Sequence, residues 1–347
     1  MSDIAIRTRG RVGHITLQRP QALNALTWDM ALAIETALDA WADDSDVAMV
    51  LIDAEGDRAF CAGGDLQALY DSGRAGDLAY GRRFWADEYR LNAKIAAYPK
   101  PYVALCQGFV MGGGVGIACH GSHRVVDETT QIAMPECGIG LIPDVGGSLL
   151  LARAAGRLGE YLGLTGARMR GMDAVLAGFA DRMIGSQERP ALAARLLETG
   201  EADRIHEFGS CDASAALADR RDPIDAVFAA PELTGITAGL QPLETGWSQE
   251  ALTALGHASP LSLQCALRMI RAAREAPDAP DAMAQALRRE YRFTARCMAQ
   301  GDFLEGIRAQ IVDKDRRPRW RHAGLDAVPP EDVKAMLAPL DRHELAF

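Results

Sequence analysis

The chain has 347 residues, 48% of them hydrophobic and 24% charged, with 37 basic side chains against 47 acidic and a formal charge of −10. That composition is ordinary for a soluble globular protein with a substantial core, in one large or two ordinary domains. The acidic balance excludes a broad nucleic-acid surface, because phosphate backbones call for basic faces.

No apolar run approaches the ~18 residues of a membrane span, and the opening MSDIAIRTRGRVGHITL lacks the apolar segment of a secretory signal. The seven cysteines, at 61, 106, 119, 137, 211, 265 and 297, are odd in number and show no CxxC spacing. Most sit in apolar runs, which points to free thiols in a reducing, cytoplasmic setting and not to a disulfide framework.

In chain order, Ile4 to Ile6 and His14 to Leu17 read as a hairpin closed by Arg7 to Gly13. RPQALNAL is a Pro-marked turn, and Thr27 is placed to cap a helix WDMALAIETALDAWADD. The run VAMVLID predicts a strand, AEGD a turn, and AFCAGGDL a loop in which Gly63 and Gly64 leave backbone amides uncovered. Tyr80 to Ala97 predicts a helix that Pro99 stops. Pro101 to Gln107 suits a buried strand broken at Gly108. Gly112, Gly113 and Gly114 then open a helix start, VGIACH, where unpaired N–H donors gather.

HRVVDE predicts another strand, and MPECGIGLIPDVGG a Gly- and Pro-rich loop carrying Glu136 and Asp144. From Asp144 to Leu164 the pattern is loop then helix, ended by Gly166. Alternating strands and helices up to here predict an α/β core with at least partly parallel pairing. From Met172 onward strand signals fade. Helices are predicted at Met172 to Phe179, Pro190 to Leu197, Pro223 to Ala229, Gln249 to Leu255, Ser262 to Glu275, Asp281 to Ala299 and Leu304 to Val312, with residues 230–260 largely irregular. This divides the chain into an α/β core, 1–183, and a helical C-terminal region, 184–347, packed on it.

Backbone donors beside two carboxylates suggest acyl chemistry, since such donors hold a carbonyl oxygen that is becoming an oxyanion. Each feature has a plainer reading. Glycine clusters are usually turns or close helix contacts, and MGGGVGIACHG fits neither the dinucleotide nor the P-loop spacing. Glu136 is flanked by apolar residues, and partial burial there would raise its pKa and suit acid–base or nucleophilic work. Asp144, after Pro143 and before VGG, could equally be a turn residue or helix cap. Glu88 falls on a helix, where an exposed charge is the default. Cys119, His120 and His123 are a poor metal set without further partners, so no metal is expected. Ser148 lacks the GxSxG elbow.

Taken together, AFCAGGDL, DEYRLN, PYVALCQGFVMGGGVGIACHG and AMPECGIGLIPDVGG, in that order, resemble the crotonase (enoyl-CoA hydratase/isomerase) superfamily. With the tail FLEGIRAQIVDKDRRPRW, the likeness extends from about Ile4 to Leu337 and is weakest from about Ile184 to Glu250. It implies a crotonase-like core of repeated ββα units with a helical C-terminal region, and an acyl-CoA substrate. By motif matching, Gly64 and Gly113 supply the two N–H groups that bind the thioester oxygen.

Hydratases of the superfamily carry a glutamate three residues after the middle glycine; here that position is Gly116. Glu136, Asp144 and Glu88 instead match the branch that hydrolyses small 3-hydroxyacyl-CoA thioesters such as 3-hydroxyisobutyryl-CoA, a step of valine breakdown. The resemblance makes Glu136 the nucleophile or general base. It gives Asp144 the substrate hydroxyl or the water, Glu88 the orientation of the acyl group, and Lys314 a place near the CoA nucleotide. No cofactor is implied beyond the CoA of the substrate, and neither a nucleic acid nor a membrane is an expected partner. An enoyl-CoA isomerase or hydratase is the alternative reaction, and a non-catalytic CoA binder the third reading. Superfamily members often trimerise through C-terminal helices, so the chain is expected either to form a homo-oligomer or to cover itself with its longer C-terminal region.

Overall fold

A computed structural model describes residues 3–209 and 214–347, which leaves Cys211 outside the described residues. Among the described residues, ten strands follow in chain order: β1 Ile4–Arg9, β2 Val12–Leu17, β3 Met49–Ala54, β4 Ala59–Cys61, β5 Tyr102–Leu105, β6 Phe109–Met111, β7 His123–Asp127, β8 Gln131–Ala133, β9 Met169–Arg170 and β10 Arg182–Ile184. They form a six-stranded sheet, β1-β2-β3-β5-β7-β10, and a four-stranded sheet, β4-β6-β8-β9. β1 and β2 pair antiparallel. From β2 outward every pairing of the larger sheet is parallel.

The chain alternates between sheets: β3 is followed by β4, β5 by β6 and β7 by β8, each long strand leading into a short strand of the second sheet. This is the expected repeat, and the parallel pairing is as expected too. A parallel sheet needs cover on both faces, and its strands then read as continuous apolar runs. β2 and β5 are accordingly buried along their whole length. Val12, Leu51, Val103, Leu105 and Val125 pack with Leu192 and Leu196 of the helix Arg189–Thr199. Each such aliphatic side chain contributes about 1.5–3 kcal/mol on burial.

By contacts the chain forms two compact units. The first is Met1–Gly64, Asp87–Ala133 and Arg168–Ala218; the second is Asp65–Ala86, Met134–Ala167 and Asp219–Phe347. All ten strands belong to the first. Among its described residues the second unit is helical, built on Pro260–Arg274 and Ala282–Gln300.

Several local expectations hold closely. Thr27 caps the helix Trp28–Ala42 by accepting a hydrogen bond from the Met30 amide. The helix Leu78–Ala96 ends where Pro99 requires. Others need correction. The hairpin strands run up to Arg9 and from Val12, leaving a turn at Gly10 and Arg11. The single helix expected before Gly166 is two, Gly147–Arg153 and Leu158–Thr165, separated around Gly156, which has φ +59.

A helix Leu233–Leu240 occupies sequence read as irregular, burying Leu233, Ile236 and Leu240 at helical spacing that its glycines and threonines disguise. β10 lies beyond the point where strand signals faded, because three residues are too few to show a period. Helices also span Leu66–Arg74 and Pro330–Leu337, where the sequence pattern predicts none.

Within the first unit, the helix Gly113–Ala118 lies so close to β4 that a Cβ on Gly114 would sit 2.2 Å from the Cys61 carbonyl oxygen. Gly114→Ala should therefore destabilise by about 1–3 kcal/mol through overpacking. Gly138→Ala, where nothing lies within 4 Å, should melt like the parent. Equal melting temperatures for the two variants would rule the close approach out.

Candidate active site

In the first unit, the loop after β4 is fastened to the segment that preceded it in the sequence. The Ala62 amide donates to the Leu23 carbonyl at 3.1 Å and the Leu26 amide to the Gly63 carbonyl at 2.8 Å. Buried Asn24 donates from Nδ2 to the Glu55 and Ala59 carbonyls at 3.0 and 2.9 Å. The Cys61 thiol, pushed up to about 12 by burial, donates to the Gly63 carbonyl. RPQALNAL is thus more than a turn: it clamps the glycine loop.

The helix Gly113–Ala118 presents its first residue to the same corner. A Cβ built on Gly113 would lie 3.5 Å from the Gly64 nitrogen and 2.6 Å from Glu88 Oε1. Among the described residues, neither the Gly64 nor the Gly113 amide is engaged by a backbone carbonyl. The Gly113 backbone, the Gly64 nitrogen and the Glu88 carboxyl thus lie close together, and a side chain at 113 would have to displace the Glu88 carboxyl. Glu88, on the helix Leu78–Ala96, is 2% exposed, so the default of a solvated helix charge does not apply. One turn further along, Asn92 is fully buried, and neither atom of its amide has a hydrogen-bond partner among the described residues.

In the second unit, Glu136 opens the 3-10 turn Glu136–Ile139 and is 5% exposed, with Oε2 buried and accepting no hydrogen bond among the described residues. Burial pushes its carboxyl well above the usual value of 4.5, and Asp144 and Glu290 push in the same direction. Asp144 is 3% exposed and begins a tight turn whose Gly147 amide donates to the Asp144 carbonyl at 2.7 Å. The sequence motifs identified neither Asn92 nor Glu290 as a site residue. For Glu290 a signal existed: it is an acid on the apolar stripe of the helix Ala282–Gln300, in line with Ala286, Leu287, Thr294 and Cys297.

Lys314 and Arg316 are exposed and have φ of +57 and +54. They follow a π-helical turn, Arg308–Val312, whose Arg308 pairs with Glu305, Asp313 and Asp315. Arg317 and Arg319 are exposed as well.

A family model described as enoyl-CoA hydratase/isomerase matches residues 12–337. The chain belongs to this family. It is 37% identical to the 3-hydroxyisobutyryl-CoA hydrolase, mitochondrial, of Gallus gallus, over 99% of this chain and 91% of that protein. Identity to the Homo sapiens protein of the same name is 35%, with the same coverage. A structure named as an enoyl-CoA hydratase from Rhodobacter sphaeroides 2.4.1 superposes with a TM-score of 0.95, at 52% identity and full coverage of both chains. A second, named as a carnitinyl-CoA dehydratase from Mycobacterium thermoresistibile, gives 0.94 at 41% identity, covering 100% of this chain and 99% of that one. The crotonase-like fold is thereby shown.

The buried acids make stability depend on pH with a definite sign. Folding raises the Glu136 pKa, so between about pH 4.5 and that raised value the folded chain keeps a proton the unfolded chain has released. Its contribution is complete below about pH 4.5 and is lost as pH rises through the folded value. Glu290, raised to about 7 by burial, acts in the same sense. Urea midpoints of the wild type should therefore fall from pH 5 to pH 8 more steeply than those of Glu136→Gln. Parallel curves would show that Glu136 does not titrate in this way.

Proposed function

We propose that this member of the enoyl-CoA hydratase/isomerase family hydrolyses the thioester of a small 3-hydroxyacyl-CoA, with 3-hydroxyisobutyryl-CoA the best fit, to give the hydroxy acid and free CoA. The observation that carries the reading is Glu136: a buried carboxyl whose Oε2 accepts no hydrogen bond among the described residues, with Asp144 adding to its raised pKa. The names of the vertebrate relatives support the same reaction, and the motif resemblance that places Glu88, Glu136 and Asp144 in the hydrolase branch points the same way.

The hydratase and dehydratase names of the solved structures favour a different reaction. Against it stands Gly116, where hydratases of the superfamily carry their second glutamate. Without that acid, addition of water across a double bond lacks one of its two proton-transfer groups.

In the proposed reaction the ionised Glu136 has two routes. It attacks the thioester carbonyl, the C–S bond breaks, CoA leaves as thiolate, and water hydrolyses the resulting anhydride. Alternatively it takes a proton from water, and the water attacks. In both, the carbonyl oxygen becomes an oxyanion, and the Gly64 and Gly113 amides bind it, each worth about 3 kcal/mol in the transition state.

Asp144 holds the substrate hydroxyl or the water, and Glu88 orients the acyl group. Buried polar groups at Glu88 and Asn92 suit an acyl chain that carries a hydroxyl better than one that is all carbon. The chemistry needs no cofactor besides the CoA of the substrate. Among the described residues, six free, buried thiols suit a reducing compartment; the relatives are named mitochondrial, which does not support the cytoplasmic expectation. Among the described residues no helix is long and apolar enough to cross a membrane.

Incubation with 3-hydroxyisobutyryl-CoA and a thiol reagent tests the reaction, because hydrolysis frees CoA thiol whereas hydration and isomerisation do not. Glu136→Gln should lower kcat by about 10²–10⁴-fold while acyl-CoA binding stays near wild type and the melting temperature does not fall. Near-normal kcat in the folded variant would sink the assignment.

The tail is proposed to meet the nucleotide phosphates of CoA. Lys314→Ala should then raise KM for acyl-CoA several-fold with kcat unchanged, because it removes binding shared by ground and transition states. A pantetheine thioester, which lacks the nucleotide, should be unaffected. Equal losses on both substrates would place Lys314 outside phosphate binding.

A further inference from the structure

One buried carboxyl has no role in the reaction proposed above. Glu290 is completely buried on the helix Ala282–Gln300, and its oxygens are spent on a single short stretch 142–144 residues earlier in the chain. Oε2 accepts the Gly146 amide at 2.7 Å, and Oε1 accepts the Ser148 amide at 3.0 Å. Oε1 also accepts the Ser148 hydroxyl.

The stretch so held is an unusual turn. Val145 and Gly146 both have positive φ, +54 and +79, and the Gly147 amide closes on the Asp144 carbonyl at 2.7 Å. Two successive positive φ values with that hydrogen bond make a turn of the I′ kind, which asks for Asn or Gly at its first central position. A β-branched valine there is an outlier that persists only where its surroundings over-determine it. Left alone, this turn would relax, and the Asp144 side chain would move with it.

We propose that Glu290 is a positioning residue: by gripping the Gly146 amide and the Ser148 amide and hydroxyl, it holds the strained turn that aims the Asp144 carboxyl in the reaction. The inference rests on the thioester-hydrolase reading for the reaction, but not for the grip itself. It also explains Ser148, whose hydroxyl is a donor to Glu290 and not a nucleophile. Asp144 and Glu136 are the carboxyls that act electrostatically with Glu290. The Cys297 thiol, on the same helix, is affected by Asp144.

The test compares wild type, Glu290→Gln, Glu290→Ala and Ser148→Ala in the intact chain. Thioester hydrolysis, thermal melting and amide exchange at residues 146 and 148 are followed together. Misplacing a catalytic group by about 1 Å costs on the order of 100-fold. Glu290→Gln is therefore expected to lower kcat by about 10- to 100-fold, with KM within about threefold. Ser148→Ala, which keeps both amide bonds, should lose less.

The acid limb of kcat/KM should also move to lower pH in Glu290→Gln, because a carboxylate that pushes Glu136 up has been removed; a merely structural role would leave the limb in place. Exchange at 146 and 148 should quicken in both Glu290 variants. Full kcat in a folded Glu290→Gln overturns the proposal. So does a loss that only tracks the unfolded fraction, with exchange and acid limb unmoved. If the wild type hydrolyses no acyl-CoA, the hydrolase reading and the catalytic part of the proposal both fail, and the exchange rates alone decide whether Glu290 grips the turn.

Discussion

Keeping ionisable carboxyls out of water is the constraint on which the chemistry of the second unit depends. A carboxylate moved from water into protein loses several kcal/mol of solvation unless donors replace the water or the group takes up a proton. Glu290 and Glu136 meet the constraint differently. Glu290 is given two backbone amides and a hydroxyl, which fixes it in place. Glu136 keeps an oxygen that accepts no hydrogen bond among the described residues, and burial raises its pKa well above the usual value, so it meets the constraint by holding a proton. The same burial therefore leaves one acid tied by donors and another without a partner at one oxygen among the described residues.

The first unit solves a different problem, the exposure of backbone donors without loss of order. Amides are left bare only where the chain cannot form regular structure, and such chain is normally mobile. Here the loop Ala62–Gly64, whose Gly64 amide meets no backbone carbonyl among the described residues, is tied to Leu23 and Leu26 on one side. The helix carrying Gly113 is pressed against the Cys61 carbonyl on the other, a contact only glycine at 114 allows. Rigid parallel strands lead into both segments, so the donors are placed by elements that are themselves held by the core.

These features belong to a fold that supports more than one CoA reaction, which is why proteins named hydrolase, hydratase and dehydratase all superpose on or align with this chain. Backbone donors for a thioester oxygen are needed whenever that oxygen gains charge. The reaction that follows depends on which acids stand by. Gly116 in place of an acid, with Glu136, Asp144 and Glu88 all buried, is the combination on which the proposed hydrolase reading rests.

Local sequence determined the elements that local chemistry suffices to build: the Thr27 cap, the Pro99 stop, the apolar strands, and the two glycine loops with their bare amides. It placed Glu136 and Asp144 in an apolar, Gly- and Pro-rich stretch, but a role for either came from the motif resemblance and not from that local composition. Elements of three residues such as β10, and helices diluted with glycine such as Leu233–Leu240, left too little periodic signal to see.

Tertiary structure alone decided the rest. Glu88 and Glu290 sit on amphipathic helices, where sequence cannot say whether a given charge meets solvent or a buried partner. Glu290 grips residues more than 140 positions away, and no local pattern encodes a distance of that kind. The positive φ of Val145, which valine would not adopt by its own preference, is likewise set by what surrounds it. Local sequence specifies what each residue prefers, whereas burial and long-range hydrogen bonds decide which of those preferences are overruled.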